Sequence, residues 1–185
     1  MKIAVLAWGS LLWSPRELKI DQSEWNTDGP NLPIEFSRIA SDGRLTLVID
    51  LDFDDVQTYW HVMDTNDLED ARKNLQLREG ADLLEEIGFV SGDQYQIRDD
   101  AIFLIGRIRS WMESKNLDAV IWTDLKPKFY EKTGVKFSDG SALEYLKSLK
   151  GEVLSRAREY ILNTPEQTKT RLRETLENHL NKKSP

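Results

Sequence analysis

An α+β fold is predicted by three observations. An unbroken apolar run from Lys2 to Trp8 stops at Gly9-Ser10, two β-rich runs flank Ser41-Asp42-Gly43, and the apolar period lengthens from two to about 3.6 past Asp64. The 185 residues fit a single domain over 1–185, because a chain of this length removes roughly 70% of its unfolded surface from water. Six Trp, six Phe and five Tyr supply large core side chains, and a charged fraction of 31% supplies a solvated surface.

The elements follow in order. Lys2–Trp8 has the composition of a buried strand that runs into a tight loop. Ile34–Ile39 and Arg44–Leu51 make a hairpin, since Asp-Gly tolerates the positive φ of such turns and Leu45, Leu47, Ile49 and Leu51 alternate along one face. Val56–Met63 reads as a third strand beside them. A helix through Leu68, Ala71 and Leu75 starts near Asn66, with Glu69 three residues on, and ends near Gly80. A second helix covers about 99–115, and Leu117–Thr123 is a short buried strand. Ser141 and Glu144 have capping-box spacing ahead of a helix through Leu143, Leu146 and Ile161, which Gly151 is expected to bend, and Thr164-Pro165 signals a last helix. Only Leu172, Leu176 and Leu180 form the apolar stripe of that last helix, so it is expected on the surface or against a partner. Residues 141–180 thus form a C-terminal helical extension.

Composition excludes several functions. With no cysteine there is no disulfide framework, thiolate metal site or cysteine nucleophile. A net charge of −7, with no Lys/Arg cluster on one face, disfavours nucleic acid and anionic membrane surfaces. The apolar N-terminal run is too short to span a bilayer and lacks a basic flank, so a cytoplasmic protein is expected.

Two constellations could carry chemistry. In Trp8-Gly9-Ser10-Leu11-Leu12, a strand delivers a Gly-Ser turn whose backbone N–H groups have no ladder partner and could face an anion; a plain strand exit with Ser10 capping the next turn is the alternative. Glu79 stands at a helix C-terminus just before Gly80, where the helix dipole disfavours a carboxylate by up to about 1 kcal/mol. It is either placed there for a task or is a solvated partner of Arg78 or Arg72.

These residues, in this order, resemble the γ-glutamylcyclotransferase-like family (AIG2-like and ChaC-like proteins). Gly9-Ser10-Leu11-Leu12 matches the family's substrate loop, the hairpin and the strand through Tyr59 and Trp60 match its sheet, and Glu79-Gly80 matches its catalytic Glu-Gly, over roughly residues 1–125. Trp8 stands where the family usually has Tyr, and the helices from Asp99 onward have no counterpart there. The resemblance implies a small mixed β-barrel flanked by helices, here with additional C-terminal helices. It also implies release of 5-oxoproline from a γ-glutamyl amine, amino acid or peptide, with Glu79 as general base and Trp8, Gly9, Ser10, Leu11 and Leu12 binding the substrate. That chemistry needs neither metal nor organic cofactor. A non-catalytic small-molecule-binding relative, or a scaffold whose C-terminal helix binds a protein, are the alternatives.

Other candidates are weaker. Asp50, Asp52, Asp54 and Asp55 suggest a calcium loop, but its sixth position is Asp55 instead of Gly and its twelfth is His61 instead of Glu. His61 and His179 lie in a strand and a helix with no paired acid at a recognisable spacing, which argues against a Ser-His-Asp triad.

Overall fold

The computed structural model describes residues 1–21 and 23–182. The chain divides into two units, neither continuous in sequence: 1–32 with 57–125, and 33–56 with 126–185.

In the first unit, β1 (Ile3–Ala7) is an interior strand of a mixed five-stranded sheet with β5 (Tyr59–Val62), β8 (Ala119–Thr123), β6 (Ile87–Ser91) and β7 (Gln94–Gln96), ordered β5-β1-β8-β6-β7. β1 runs antiparallel to β5 and parallel to β8, and every one of its residues is buried. A strand covered on both faces carries no polar alternation, which is why Lys2–Trp8 reads as a continuous apolar run. Ile3, Val5 and Ala7 on one face pack into a cluster with Ala71 and Leu75 of helix α1 (Leu68–Glu79) and with Ile87 and Ile121. A second helix, α2 (Leu104–Ser114), follows a short 3-10 turn at Asp99–Ala101, so the long helix predicted from Asp99 starts five residues later.

The β6–β7 hairpin was not predicted. Its signal was the turn Gly92-Asp93 between Ile87–Ser91 and Gln94–Gln96, too short a pair of runs to stand out. Gly88 in β6 is required by close approach: a Cβ there would lie 2.4 Å from the Trp122 ring of the paired strand.

The second unit holds β3 (Leu45–Ile49) in a three-stranded sheet ordered β3-β2-β4, whose β2 (Asn31–Ile39) and β4 (Asp55–Gln57) each run across a unit boundary. The predicted hairpin is present, with Ile34 opposite Ile49 and Ile39 opposite Leu45, and the turn is closed by the Ala40 and Gly43 amides donating to Arg44 O and Ala40 O. The third run does not form one strand. It is cut at buried Thr58, whose amide and hydroxyl both donate to Pro30 O while its carbonyl accepts from Gly29, so residues before and after it join different sheets. The strands therefore make two open sheets among the described residues and not the closed barrel implied by the resemblance; the α+β class holds.

Helices α3 (Phe129–Thr133), α4 (Asp139–Ser148), α5 (Gly151–Asn163) and α6 (Arg173–Lys182) belong to the second unit. The N-cap of α4 is Ser138, which accepts from the Ser141 amide, so the capping box lies three residues earlier than predicted. Gly151 does not bend a helix. The backbone is already extended at Leu149 and Lys150, and Gly151 begins a separate helix. Thr164 likewise starts nothing: its hydroxyl donates to Tyr160 O and closes α5, and α6 begins only at Arg173. Leu172, Leu176 and Leu180 are all buried against their own chain, which corrects the expectation of an exposed stripe.

The start of α6 is held by Glu35 of β2, which is fully buried and accepts from the amides of Phe36 (2.8 Å) and Leu172 (3.1 Å). Burial pushes the Glu35 carboxyl above its ordinary range, while the two amides pull it down. A native-state shift upward means the folded chain holds the proton more tightly than the unfolded chain, so this group favours folding less as pH rises through the carboxylate range. Wild type should therefore lose stability relative to Glu35→Gln between the unfolded glutamate pKa and the raised native one, read as urea midpoints across that window. Separately, Gly88→Ala should lower stability by about 1–3 kcal/mol, because its methyl overlaps the buried Trp122 ring and must displace it.

Candidate functional site

Both predicted constellations fall in the first unit. β1 ends in buried Trp8 and Gly9, and the chain then winds through a turn in which the Leu12 amide donates to Gly9 O (3.0 Å) and the Ser14 amide to Ser10 O (2.9 Å). The Leu12 amide is thus committed to the loop itself and is removed from the predicted anion cradle. The amides of Gly9, Ser10 and Leu11 donate to no acceptor among the described residues. Leu11 and the partly buried Leu12 pack into the hydrophobic cluster beneath the sheet, which fixes the loop on its strand.

Glu79 is placed by α1. The helix starts at Asp67, one residue after the predicted Asn66, with the Asp67 carboxylate accepting from the Asp70 amide (2.8 Å). It stops at Gly80, whose φ of 63° and ψ of 35° lie in the left-handed region that favours glycine. The Gly80 amide bonds to Leu77 O and the Ala81 amide to Gln76 O, a Schellman closure that turns the chain sharply after Glu79.

Arg78 joins the two constellations. Its guanidinium lies 2.7 Å from Glu79 Oε1, donates to Ser10 Oγ at 3.2 Å and to Ser14 O at 2.5 Å, and its side chain is only 6% exposed against 18% for Glu79. The Arg78 Nε is buried with no hydrogen-bond partner among the described residues. One fork-shaped cation therefore fastens the loop after β1 to the end of α1 and carries the Glu79 carboxylate beside Ser10. Arg72, the other predicted partner, points elsewhere: it donates to Leu84 O and Ile87 O and lies over the Phe89 ring, and burial lowers its pKa.

The sheet adds groups that sequence reasoning missed. Because β1 and β8 are parallel, with Val5 opposite Ile121, the loop after β1 and Asp124 after β8 leave the sheet at one edge, the place where open sheets with parallel strands gather ligand-binding loops. The Asp124 side chain is fully buried and accepts from the Arg98 amide (2.6 Å) and Arg98 Nε (3.2 Å). Burial pushes its carboxyl up, against the pull of the Arg98 charge. The only hint in sequence was an acid directly after the apolar run Leu117–Thr123.

His61 also departs from expectation. It is buried in β5, its Nε2 lies 2.9 Å from Ser23 Oγ and 3.2 Å from Asp21 Oδ1, and its Nδ1 lies 2.8 Å from Val62 O. An acid and a serine do meet it, from a segment 38 residues or more away that no local spacing reveals. Among the described residues there is no cluster of three or more side chains suited to hold a metal ion, and no helix is long and apolar enough to cross a membrane.

No family model matches the chain, and no solved structure matches it. An uncharacterized protein of Methanocaldococcus jannaschii is 35% identical over 89 residues, which is 43% of this chain and 31% of that protein. The chain thus spans about a third of the length of that relative.

Arg78→Met should leave the mostly buried Glu79 without its counter-charge and the loop without its anchor, lowering stability by about 1–3 kcal/mol. Arg78→Lys, which keeps the charge but loses the fork, should recover only part of this in the same urea titration.

Proposed function

We propose that this protein is a γ-glutamylcyclotransferase-like enzyme that releases 5-oxoproline from a γ-glutamyl amine, amino acid or peptide, a cyclising transferase or lyase of the kind used in glutathione metabolism. The observation that carries the reading is that one guanidinium, Arg78, holds both the Glu79 carboxylate and the Ser10 hydroxyl, residues 69 positions apart that the resemblance assigns to base and substrate loop. The two open sheets differ from the barrel of that family, so the reading rests on the site and not on the fold.

The chemistry asks little more of the chain. The α-carboxylate of the substrate would lie on the amides of Gly9, Ser10 and Leu11, with Trp8 and Leu12 as apolar wall. Glu79 would take a proton from the α-ammonium, which is charged at neutral pH, so that the freed nitrogen attacks the side-chain carbonyl and closes the five-membered ring. The same carboxyl then returns the proton to the departing amine. Ring closure is intramolecular, so holding the substrate bent supplies much of the rate. For this the Arg78–Glu79 pair must share its carboxylate with the incoming ammonium, which is a natural exchange of one cation for another.

That pair also favours a second reading. A carboxylate already engaged by a buried guanidinium is a good structural partner and a poor base, as in a non-catalytic relative that binds a small zwitterion on the same groups.

The assay is 5-oxoproline release from γ-glutamyl amines, γ-glutamyl amino acids and glutathione. Release by wild type that falls by about 100-fold or more in Glu79→Gln is expected. No release by folded protein from any of them, with binding retained, would replace the enzyme by the binding module.

A further inference from the structure

We infer that Arg16 is a specificity-determining residue of the proposed site, one that holds the carboxylate of the departing amino acid, so that the substrate class is a γ-glutamyl amino acid or peptide and not a γ-glutamyl amine. This deepens, and rests on, the reading of Glu79 as base and of the loop after β1 as substrate cradle.

The placement of Arg16 comes first. Beyond Ser14 the loop runs back along α1, fastened to three residues spaced four apart on one face of that helix. Arg78 donates to Ser14 O; Asn74 accepts from the Lys19 amide at 2.7 Å and donates to Glu17 O at 2.9 Å; Asp70 takes the Lys19 ammonium at 2.7 Å. Arg16 lies between the first two fastenings. Two peptide units separate its Cα from that of Ser14, a span of at most about 7 Å. The guanidinium bound to Ser14 O is the one that holds the Glu79 carboxylate, so an arginine rooted at position 16 has the length to meet a group bound beside Glu79.

The backbone is the second observation. Arg16 has a φ of 53°, in the left-handed region that favours glycine. Asn116, a residue type that tolerates this region, is the other non-glycine residue there among those described. The bonds at Ser14 and Glu17 hold the conformation on a residue whose Cβ disfavours it. A turn that needed only this shape would be better served by glycine, so the side chain, not the turn, accounts for an arginine here.

The third observation is charge. Of the cations on this loop and α1, Lys19 pairs with Asp70, Lys73 with Glu69 and Arg78 with Glu79, while Arg72 is engaged by two carbonyls. Exposed Arg16 alone among them makes no hydrogen bond or ion pair with the described residues, although exposed Glu17 is its neighbour. The chain that follows Glu79 and Gly80 is acidic, with Asp82, Glu85 and Glu86 ahead of β6, and disfavours an anionic leaving group. Arg16 is the uncommitted cation that offsets this, and a guanidinium can take a carboxylate through two parallel N–H bonds.

The test compares γ-glutamyl-alanine with γ-glutamyl-alaninamide, which differ only in the carboxylate concerned, by 5-oxoproline release from wild type, Arg16→Gln, Arg16→Lys and Arg16→Gly. Wild type is expected to show a KM about 5-fold lower for the free acid, with similar kcat, and this preference should weaken as salt is added, because the pair is exposed. Arg16→Gln should lose the preference and Arg16→Lys should recover part of it. Arg16→Gly, which relaxes the backbone, should lose the preference without losing thermal stability, an outcome that a purely structural role would not give. Release without a preference in wild type, or with a preference that survives in Arg16→Gln, would overturn the inference and leave the enzyme reading standing. If folded wild type releases nothing, the enzyme reading falls and calorimetry compares the binding of the same two compounds. Tighter binding of the free acid that is lost in Arg16→Gln then upholds the role of Arg16, whereas equal binding, or none, overturns it.

Discussion

Everything in the first unit depends on β1 being hydrogen-bonded on both sides and buried on both faces. A strand so placed has no edge through which water can compete, and its backbone groups are satisfied by β5 on one side and β8 on the other. Its end is therefore a fixed point. The loop from Trp8 to Ser14 starts from that point, and α1, packed on the same face through Ala71 and Leu75, brings its own C-terminus to it. The proposed chemistry at Glu79 and the loop follows from two rigid elements that meet, and not from a flexible segment.

Charge burial is used sparingly and always with a partner. Arg78 gathers a carboxylate, a hydroxyl and a carbonyl; Arg98 and Asp124 form a buried fork at the end of β8; Glu35 takes two backbone amides where α6 begins. Each removes charge from water, which costs several kcal/mol per ion when uncompensated, and each is compensated by directed donors or acceptors. In each case the group joins elements far apart in sequence. Apolar packing would hold those elements together without fixing their register, whereas a directed polar contact has one satisfactory geometry.

Local grammar was readable where one interaction decides it. The β1 strand, the hairpin through Asp42-Gly43, α1 with its stop at Gly80, and β8 are each set by a short apolar pattern and a neighbouring turn residue. It failed where a competing contact overrode it. Thr58 sits in a run with good strand composition, yet Pro30 takes its amide and its hydroxyl and splits the run between sheets. Thr164-Pro165 carries a helix-start signature, yet the Thr164 hydroxyl is used on Tyr160 O to close the preceding helix. The stripe Leu172, Leu176 and Leu180 was correctly seen, but whether its cover is solvent, a partner or its own chain is a property of the fold.

The sequence by itself determined the α+β class, the position of a Gly-Ser loop after a buried strand, and an acid at the end of a helix, because each depends on residues within a few positions of one another. Only the tertiary structure decided that Arg78 binds Glu79 to Ser10, that Asp124 is buried against Arg98, and that Ser23 and Asp21 meet His61. The hydrogen bonds that join those groups bridge up to 68 positions along the chain and act over about 3 Å in space. Periodicity carries no information about which distant side chains a sheet and a helix will bring within that distance.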